Sequence, residues 1–153
     1  MEQIEIKKLN SSDKIPYNLL LLADPSIEVI NDYIHRGDCY VAYSNDTMLG
    51  VYVMIRTRPS TLELVNIAVN EEYQGKGIGK KLILSAIDMA KKKDVKVLEV
   101  GTGNSSIYQL ALYQKCGFRI IGIDRDFFRI HYKDRIIENG IECIDMIRLR
   151  IDL

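Results

Sequence analysis

Between residues 74 and 79 the chain reads Gln-Gly-Lys-Gly-Ile-Gly, glycine at every second position, followed by Lys80 and Lys81. Downstream, Ile78, Leu82, Ile83, Ala86, Ile87 and Ala90 repeat at helical spacing, which predicts a helix over about residues 77–93 and puts the glycines at its start. The first backbone N–H groups of a helix have no intrahelical partner and carry a partial positive charge. They bind phosphate oxygens. Glycine lets a diphosphate come close to the backbone and accepts torsions that cost other residues energy, while Gln74 and Lys76 add side-chain donors.

Two common nucleotide loops do not fit. A Walker loop needs Gly-Lys followed by Ser or Thr, but Gly79-Lys80 is followed by Lys81, and Gln74 stands where the first glycine should be. The dinucleotide fingerprint G-x-G-x-x-G fails on the even spacing of Gly75, Gly77 and Gly79, and Gly101-Thr102-Gly103 meets Ser106 at its third site.

What remains, Gln-x-x-Gly-x-Gly opening a helix, resembles the acetyl-CoA signature of the GNAT superfamily of N-acetyltransferases, matched by Gln74, Gly77 and Gly79. The resemblance extends to Asn66-Ile67-Ala68-Val69 as the strand before the loop, to Asn104 at the start of the next helix, and to Ala111-Leu112-Tyr113-Gln114-Lys115-Cys116-Gly117-Phe118 as a tyrosine-bearing helix end. It implies acetyl-CoA as co-substrate, held by Gln74, Gly75, Lys76, Gly77, Ile78, Gly79 and Lys80, with no metal required. The backbone of Ile67, Ala68 and Val69 would bind the thioester carbonyl where the fourth strand splays from the fifth. Fixed N–H donors there would stabilise charge as an amine attacks, each worth about 3 kcal/mol. Asn104 would either hydrogen-bond the pantetheine arm or cap its helix.

An attacking amine must be neutral, yet a lysine-like amine with a pKa near 10.4 lies about three units above neutrality, a cost of roughly 4 to 5 kcal/mol. A general base offsets it. Glu63 is the leading candidate, being the acidic residue within the predicted central strand, where alternation groups it with Val65 and Ile67. The plainer reading is a strand glutamate facing solvent or paired with a lysine; Asp126, Glu142 and Asp145 are fallbacks. Tyr113 stands where the family carries the acid that protonates the departing thiolate, against a plainer reading as a buried aromatic beside Leu110 and Leu112.

These groups need a scaffold, and the sequence outlines one. Ile4, Ile6 and Leu9 suggest a first strand, and the apolar run Leu19 to Leu22 suits a short helix. With Asp24 as cap and Pro25 at the first helical position, Ile27, Ile30 and Ile34 predict a helix over about residues 25–36. A hairpin follows at 39–43 and 49–55, then a strand at 62–69, giving antiparallel strands in succession. Beyond the glycine loop and its helix come a strand over 95–101, a helix over 105–116 stopped by Gly117, and a last hairpin of 118–130 with 141–151. The expected fold is α/β (α+β): a GNAT-like mixed, mainly antiparallel sheet of about six or seven strands with helices on both faces, in a single domain over residues 1–153.

The rest of the composition narrows the setting. Lys plus Arg and Asp plus Glu both number 21, so no field of one sign recruits nucleic acid or a membrane. Cys39, Cys116 and Cys143 are odd in number and lack C-x-x-C spacing, which disfavours disulfides and zinc and fits a cytoplasmic protein. His35 and His131 have no companion at metal-ligand spacing, and Lys91, Lys92 and Lys93 suit a helix C-terminus. Tyr40, Tyr43, Tyr52, Tyr132 and Phe127-Phe128 are candidates for an acceptor pocket or for the core, and Arg56, Arg58, Arg125 and Arg129 for attracting an acidic acceptor. The expected partner is a small-molecule or peptide amine acceptor, with a homodimer possible through the last hairpin; the alternative is a non-catalytic CoA-binding module.

Overall fold

The computed structural model describes residues 3–153. In chain order the elements are β1 (Glu5–Lys8), α1 (Tyr17–Ala23), α2 (Ile27–Ile34), β2 (Gly37–Ser44), β3 (Thr47–Arg58), β4 (Thr61–Val69), α3 (Ile78–Lys92), β5 (Val97–Gly103), α4 (Ile107–Lys115), β6 (Arg119–Asp124), α5 (Phe127–His131), β7 (Ile137–Glu138), β8 (Ile141–Glu142) and β9 (Met146–Asp152). The main sheet has seven strands in the order β1-β2-β3-β4-β5-β9-β6, and β7 and β8 form a separate two-stranded hairpin. Within the main sheet β4 and β5 pair in parallel and the other neighbours are antiparallel. None of the described helices is long and apolar enough to cross a membrane.

Helices cover both faces. One core layer joins Leu20, Ile30 and Ile34 of α1 and α2 to Val41, Val51, Val53 and Ala68. The other joins Leu82, Ile83, Ala86 and Ala90 of α3 to Tyr52, Leu64, Leu98 and Leu149, and α4 adds Tyr113 to it. Burying each Leu or Ile is worth about 1.5–3 kcal/mol, which holds α3 against the sheet by its apolar stripe. Because β3 lies between two covered faces, its residues from Leu49 to Ile55 are buried without interruption, although Leu49, Val51, Val53 and Ile55 alternate in sequence.

One feature of the sheet makes room for chemistry. The β4–β5 ladder runs from Thr61↔Val97 to Leu64↔Val100 and stops there, although β4 continues to Val69 and β5 to Gly103. Past Leu64 the strands diverge. The divergence begins at a β-bulge, where Met54↔Leu64 is followed by Val53↔Asn66 and Val65 is the extra residue.

Two local expectations change. The second helix starts at Ile27, capped by Ser26 Oγ, which accepts the Val29 N–H at 3.2 Å. Asp24 instead follows α1, and its carboxylate accepts the Ser26 N–H at 3.2 Å. Ser26 sits one step before the first helical residue, the position a cap requires, and Asp24 sits too early. The last hairpin also differs: β6 and β9 pair antiparallel, but residues 125–145 between them hold α5 and the β7–β8 hairpin. Asn139 and Gly140, with φ of 55° and 72°, close only that small hairpin, because such a turn joins immediately adjacent strands.

Candidate active site

The glycine segment lies at the open end of the split, between the end of β4 and the start of α3. Gly75 and Gly77 have φ of 78° and 82°, the left-handed region that favours glycine, and Gly77 is the N-cap of α3. No side chain caps that helix start. By helix geometry the N–H groups of Ile78, Gly79 and Lys80 point out of the first turn without partners among the described residues, since the first intrahelical bond runs from the Lys81 N–H to the Gly77 carbonyl at 3.3 Å. Gln74 is exposed, and its Nε2 donates to the Val69 carbonyl at 3.1 Å, tying the loop to the end of β4. Lys76 Nζ stands 5.4 Å from the centre of the Tyr73 ring.

Gly79 differs from the other two glycines. Its φ is not positive, and a Cβ there would meet Leu112 Cδ2 at 3.6 Å and Val69 Cγ2 at 3.8 Å, which are ordinary contacts. Neither torsion nor crowding within the chain calls for glycine here. The same contacts bring β4, α3 and α4 together.

Tyr113, on α4, is 2% exposed and meets Phe118 edge-on at 5.7 Å between ring centres. Burial pushes its hydroxyl up to about 12. Cys116, beside it, has a thiol also raised by burial, and all three cysteines are free.

Glu63 lies one residue before the last β4–β5 pair, at the apex of the split. Its side chain is 21% exposed and receives Arg148 Nη1 at 3.4 Å. Burial raises its pKa, only partly opposed by the Arg148 charge. The bulge corrects its neighbourhood: Val65 packs on the α1–α2 layer while Ile67 packs on the α3 layer, so Glu63 shares a face with Val65 and not with Ile67. Opposite Glu63 in the parallel register stands Glu99, paired with Arg58. Arg148 also reaches Asp124 at 3.2 Å and lies 5.4 Å from the centre of the Phe127 ring. Glu99 and Arg148 escaped the sequence reading because a parallel register across a crossover helix is not written in either strand.

Asn104 does not cap α4, whose N-cap is Ser106. Its Oδ1 accepts the N–H groups of Ile144 and Asp145 at 2.8 and 3.0 Å, and its Nδ2 donates to the Glu142 carbonyl at 3.1 Å. The residue pins the end of β5 to the start of β9. The fallback acids are held in the same stretch: Glu142 by Arg129 and Arg135, Asp145 by the Asp126 N–H. Tyr40 and Tyr52 are core, stacked at 4.8 Å between ring centres, whereas Phe127, Phe128 and Tyr132 cluster in 125–145.

A second polar group was not foreseen. Asp24, 6% exposed, accepts the hydroxyls of Tyr33 and Tyr132, each at 3.0 Å. Asn66 Nδ2 donates to Tyr33 Oη at 2.9 Å and to the Leu20 carbonyl at 3.0 Å, while its buried Oδ1 has no partner among the described residues. Burial raises the Asp24 pKa against these hydrogen bonds. An unmet buried acceptor costs about 1–3 kcal/mol.

A sheet that opens past its parallel pair, with an uncapped helix start at the mouth and a carboxylate at the apex, leaves a cleft between two strands with an anion-binding helix start beside it. The chain belongs to the acetyltransferase (GNAT) family, whose match spans residues 7–118. It is 54% identical over 153 residues to the uncharacterized N-acetyltransferase YvbK of Bacillus subtilis, covering 100% of this chain and 99% of that one. A GNAT family acetyltransferase from Elizabethkingia anophelis, solved with acetyl-CoA bound, superposes with a TM-score of 0.97 at 48% identity, covering 100% of both chains. An IAA acetyltransferase from Bacillus cereus superposes with a TM-score of 0.95 at 56% identity, covering 99% of this chain and 100% of that one. The protein is therefore an N-acetyltransferase with acetyl-CoA as its co-substrate.

Proposed function

We propose that this enzyme acetylates a primary amine of a small molecule or peptide by direct attack in a ternary complex, with Glu63 as general base and Tyr113 as the donor to sulfur. The observation that carries the reading is the place of Glu63: a partly exposed carboxylate one residue before the last β4–β5 pair. Its raised pKa suits a group that must collect a proton near neutrality. Glu63 takes the proton the amine sheds, and the new C–N bond forms as the C–S bond breaks and CoA leaves as a thiolate. A hydroxyl near 12 stays protonated at neutral pH and is a poor acid toward a thiol near 8.5, so Tyr113 keeps its proton and hydrogen-bonds the developing thiolate, which is then protonated by solvent.

On the donor side, the N–H groups of Ile78, Gly79 and Lys80 receive the diphosphate, Gly75 and Gly77 supply the turn, and Lys76 and Lys80 add charge. Gln74 holds the loop in place, the backbone of Ile67, Ala68 and Val69 faces the acyl group, and Asn104 borders the pantetheine path. A module that binds CoA without turnover has no chemical use for Glu63 or Tyr113. Thiol release from acetyl-CoA across a panel of primary amines tests the reading; no release with any amine, despite CoA binding, refutes it.

A homodimer is the assembly we infer. Ile120, Ile121 and Ile123 of β6 are exposed at the open edge of the sheet, and antiparallel pairing with a second copy would set Arg119 against Asp124. The opposite edge, β1, carries Glu5, Lys7 and Lys8. Sizing should give about twice 17.5 kDa, and a monomer mass would exclude this pairing.

A further inference from the structure

The reaction assigned above uses neither Asp24 nor Asn66, yet both stand on the side of the split from which an acceptor must come. The diphosphate cradle and Tyr113 occupy the α3 face of the sheet. The opposite face carries α1, α2 and Glu63, and Tyr132 from the stretch after β6 crosses to it to reach Asp24. Asn66 is on β4 two residues past the last pair with β5, its side chain turned to the α1–α2 layer, where its Nδ2 meets the Leu20 carbonyl.

Two acceptors at this place lack what their chemistry asks for. Asp24 is a buried carboxylate whose hydrogen-bond donors, the Ser26 N–H and the Tyr33 and Tyr132 hydroxyls, are all neutral, and among the described residues it has no cationic partner. A buried anion without a counter-charge is costly. Asn66 is 3% exposed, and its Oδ1 has no donor among the described residues. Exchanging the amide O and N would not help, because the oxygen would then face the Leu20 carbonyl. One hydroxyl, Tyr33 Oη, bridges the two residues, receiving Asn66 Nδ2 at 2.9 Å and donating to Asp24 at 3.0 Å. A single group that donates N–H and carries positive charge would satisfy both sites.

We propose that Asp24 and Asn66 form an acceptor subsite for an ammonium group, and that the acceptor is an aliphatic diamine or a similar amine bearing a second positive charge. The reacting nitrogen lies at the split, beside Glu63, and loses its proton there. The second nitrogen stays charged, pairs with Asp24 and donates to Asn66 Oδ1. It enters on the Tyr132 side, where the cover comes from residues 125–145 and not from the sheet. The inference rests on the acetyl-transfer reading and adds the class of acceptor to it.

The test is steady-state thiol release at saturating acetyl-CoA with a linear diamine, the monoamine of the same chain length and the corresponding amino acid, whose carboxylate replaces the second amine. A charge-assisted contact predicts kcat/KM for the diamine at least about tenfold above the monoamine, with the amino acid poorest. In Asp24→Asn the diamine-to-monoamine ratio should collapse toward one through KM, while Tyr132→Phe, which leaves the carboxylate in place, should keep the preference. CoA-induced thermal stabilisation of Asp24→Asn reports that the variant is folded, and the wild-type ratio decides the matter if it is not. Amines acetylated without preference for the diamine overturn this inference and leave the acetyl-transfer reading standing. No release with any amine overturns both.

Discussion

Replacing Gly79 by alanine separates what the chain needs from what its ligand needs. Nothing inside the molecule requires glycine there: φ is not positive, and the new Cβ would sit 3.6 Å from Leu112 Cδ2 and 3.8 Å from Val69 Cγ2. Alanine in a helix is favoured over glycine by roughly 0.5–1 kcal/mol, so the free protein should gain about 1–3 °C in Tm. If the diphosphate rests on the Gly79 N–H, the methyl group intervenes and a charge-assisted hydrogen bond of about 1.5–3 kcal/mol is lost, raising Kd for CoA roughly 10- to 150-fold. Gly77→Ala is the contrast. At φ 82° a side chain costs about 1–2 kcal/mol, so Tm should fall by several degrees. Differential scanning fluorimetry gives the stabilities and titration calorimetry the affinity. A folded Gly79→Ala that binds CoA within about twofold of wild type would refute close approach at this residue, and a loss of Tm as large as that of Gly77→Ala would make the glycine structural.

Glu63 and Tyr113 have distinguishable signatures. As a base Glu63 must be ionised, so activity falls as pH drops through its pKa; because burial raises that pKa, the acid limb of kcat/KM should lie above the ordinary carboxylate value of 4.5. Glu63→Gln should abolish that limb and lower kcat/KM by about 10²–10⁴, measured with a weakly basic amine so that the acceptor's own titration does not mask it. An unchanged limb would move the base elsewhere, with Glu99 the neighbour to test. Tyr113→Phe should lower kcat about 10- to 100-fold with little change in acetyl-CoA affinity, and an unchanged rate at saturating substrate would remove the tyrosine from the mechanism.

The helix start that carries the glycine segment was legible because it is local. Gln74, Gly77 and Gly79 lie within one turn of chain, the apolar spacing from Ile78 to Ala90 places them at a helix start, and backbone geometry does the rest. Tyr113 and the helix that carries it were readable for the same reason, and so were β2, β3 and β4 as antiparallel neighbours joined by short turns. The cap of α2 was misread by two residues, since Asp24 and Ser26 offer similar chemistry and only the backbone entry angle separates them.

The acceptor side was decided by tertiary structure. A single bulged residue, Val65, reverses the alternation along β4, so Glu63 and Ile67 end on opposite faces, and a period of two cannot reveal where it slips. The parallel register that sets Glu63 beside Glu99 depends on how α3 packs, not on either strand alone. The folding of residues 125–145 as α5 and the β7–β8 hairpin turned the expected simple hairpin into a pair of strands separated by an excursion, which delivers Tyr132 to Asp24 across 108 residues of chain. By itself the sequence determined the carrier that this protein binds, because a phosphate cradle is a short-range property of backbone and helix start. The surroundings of the amine came only from the folded sheet, because they are built by contacts between residues far apart in the chain, whose faces and levels pairing and packing set together.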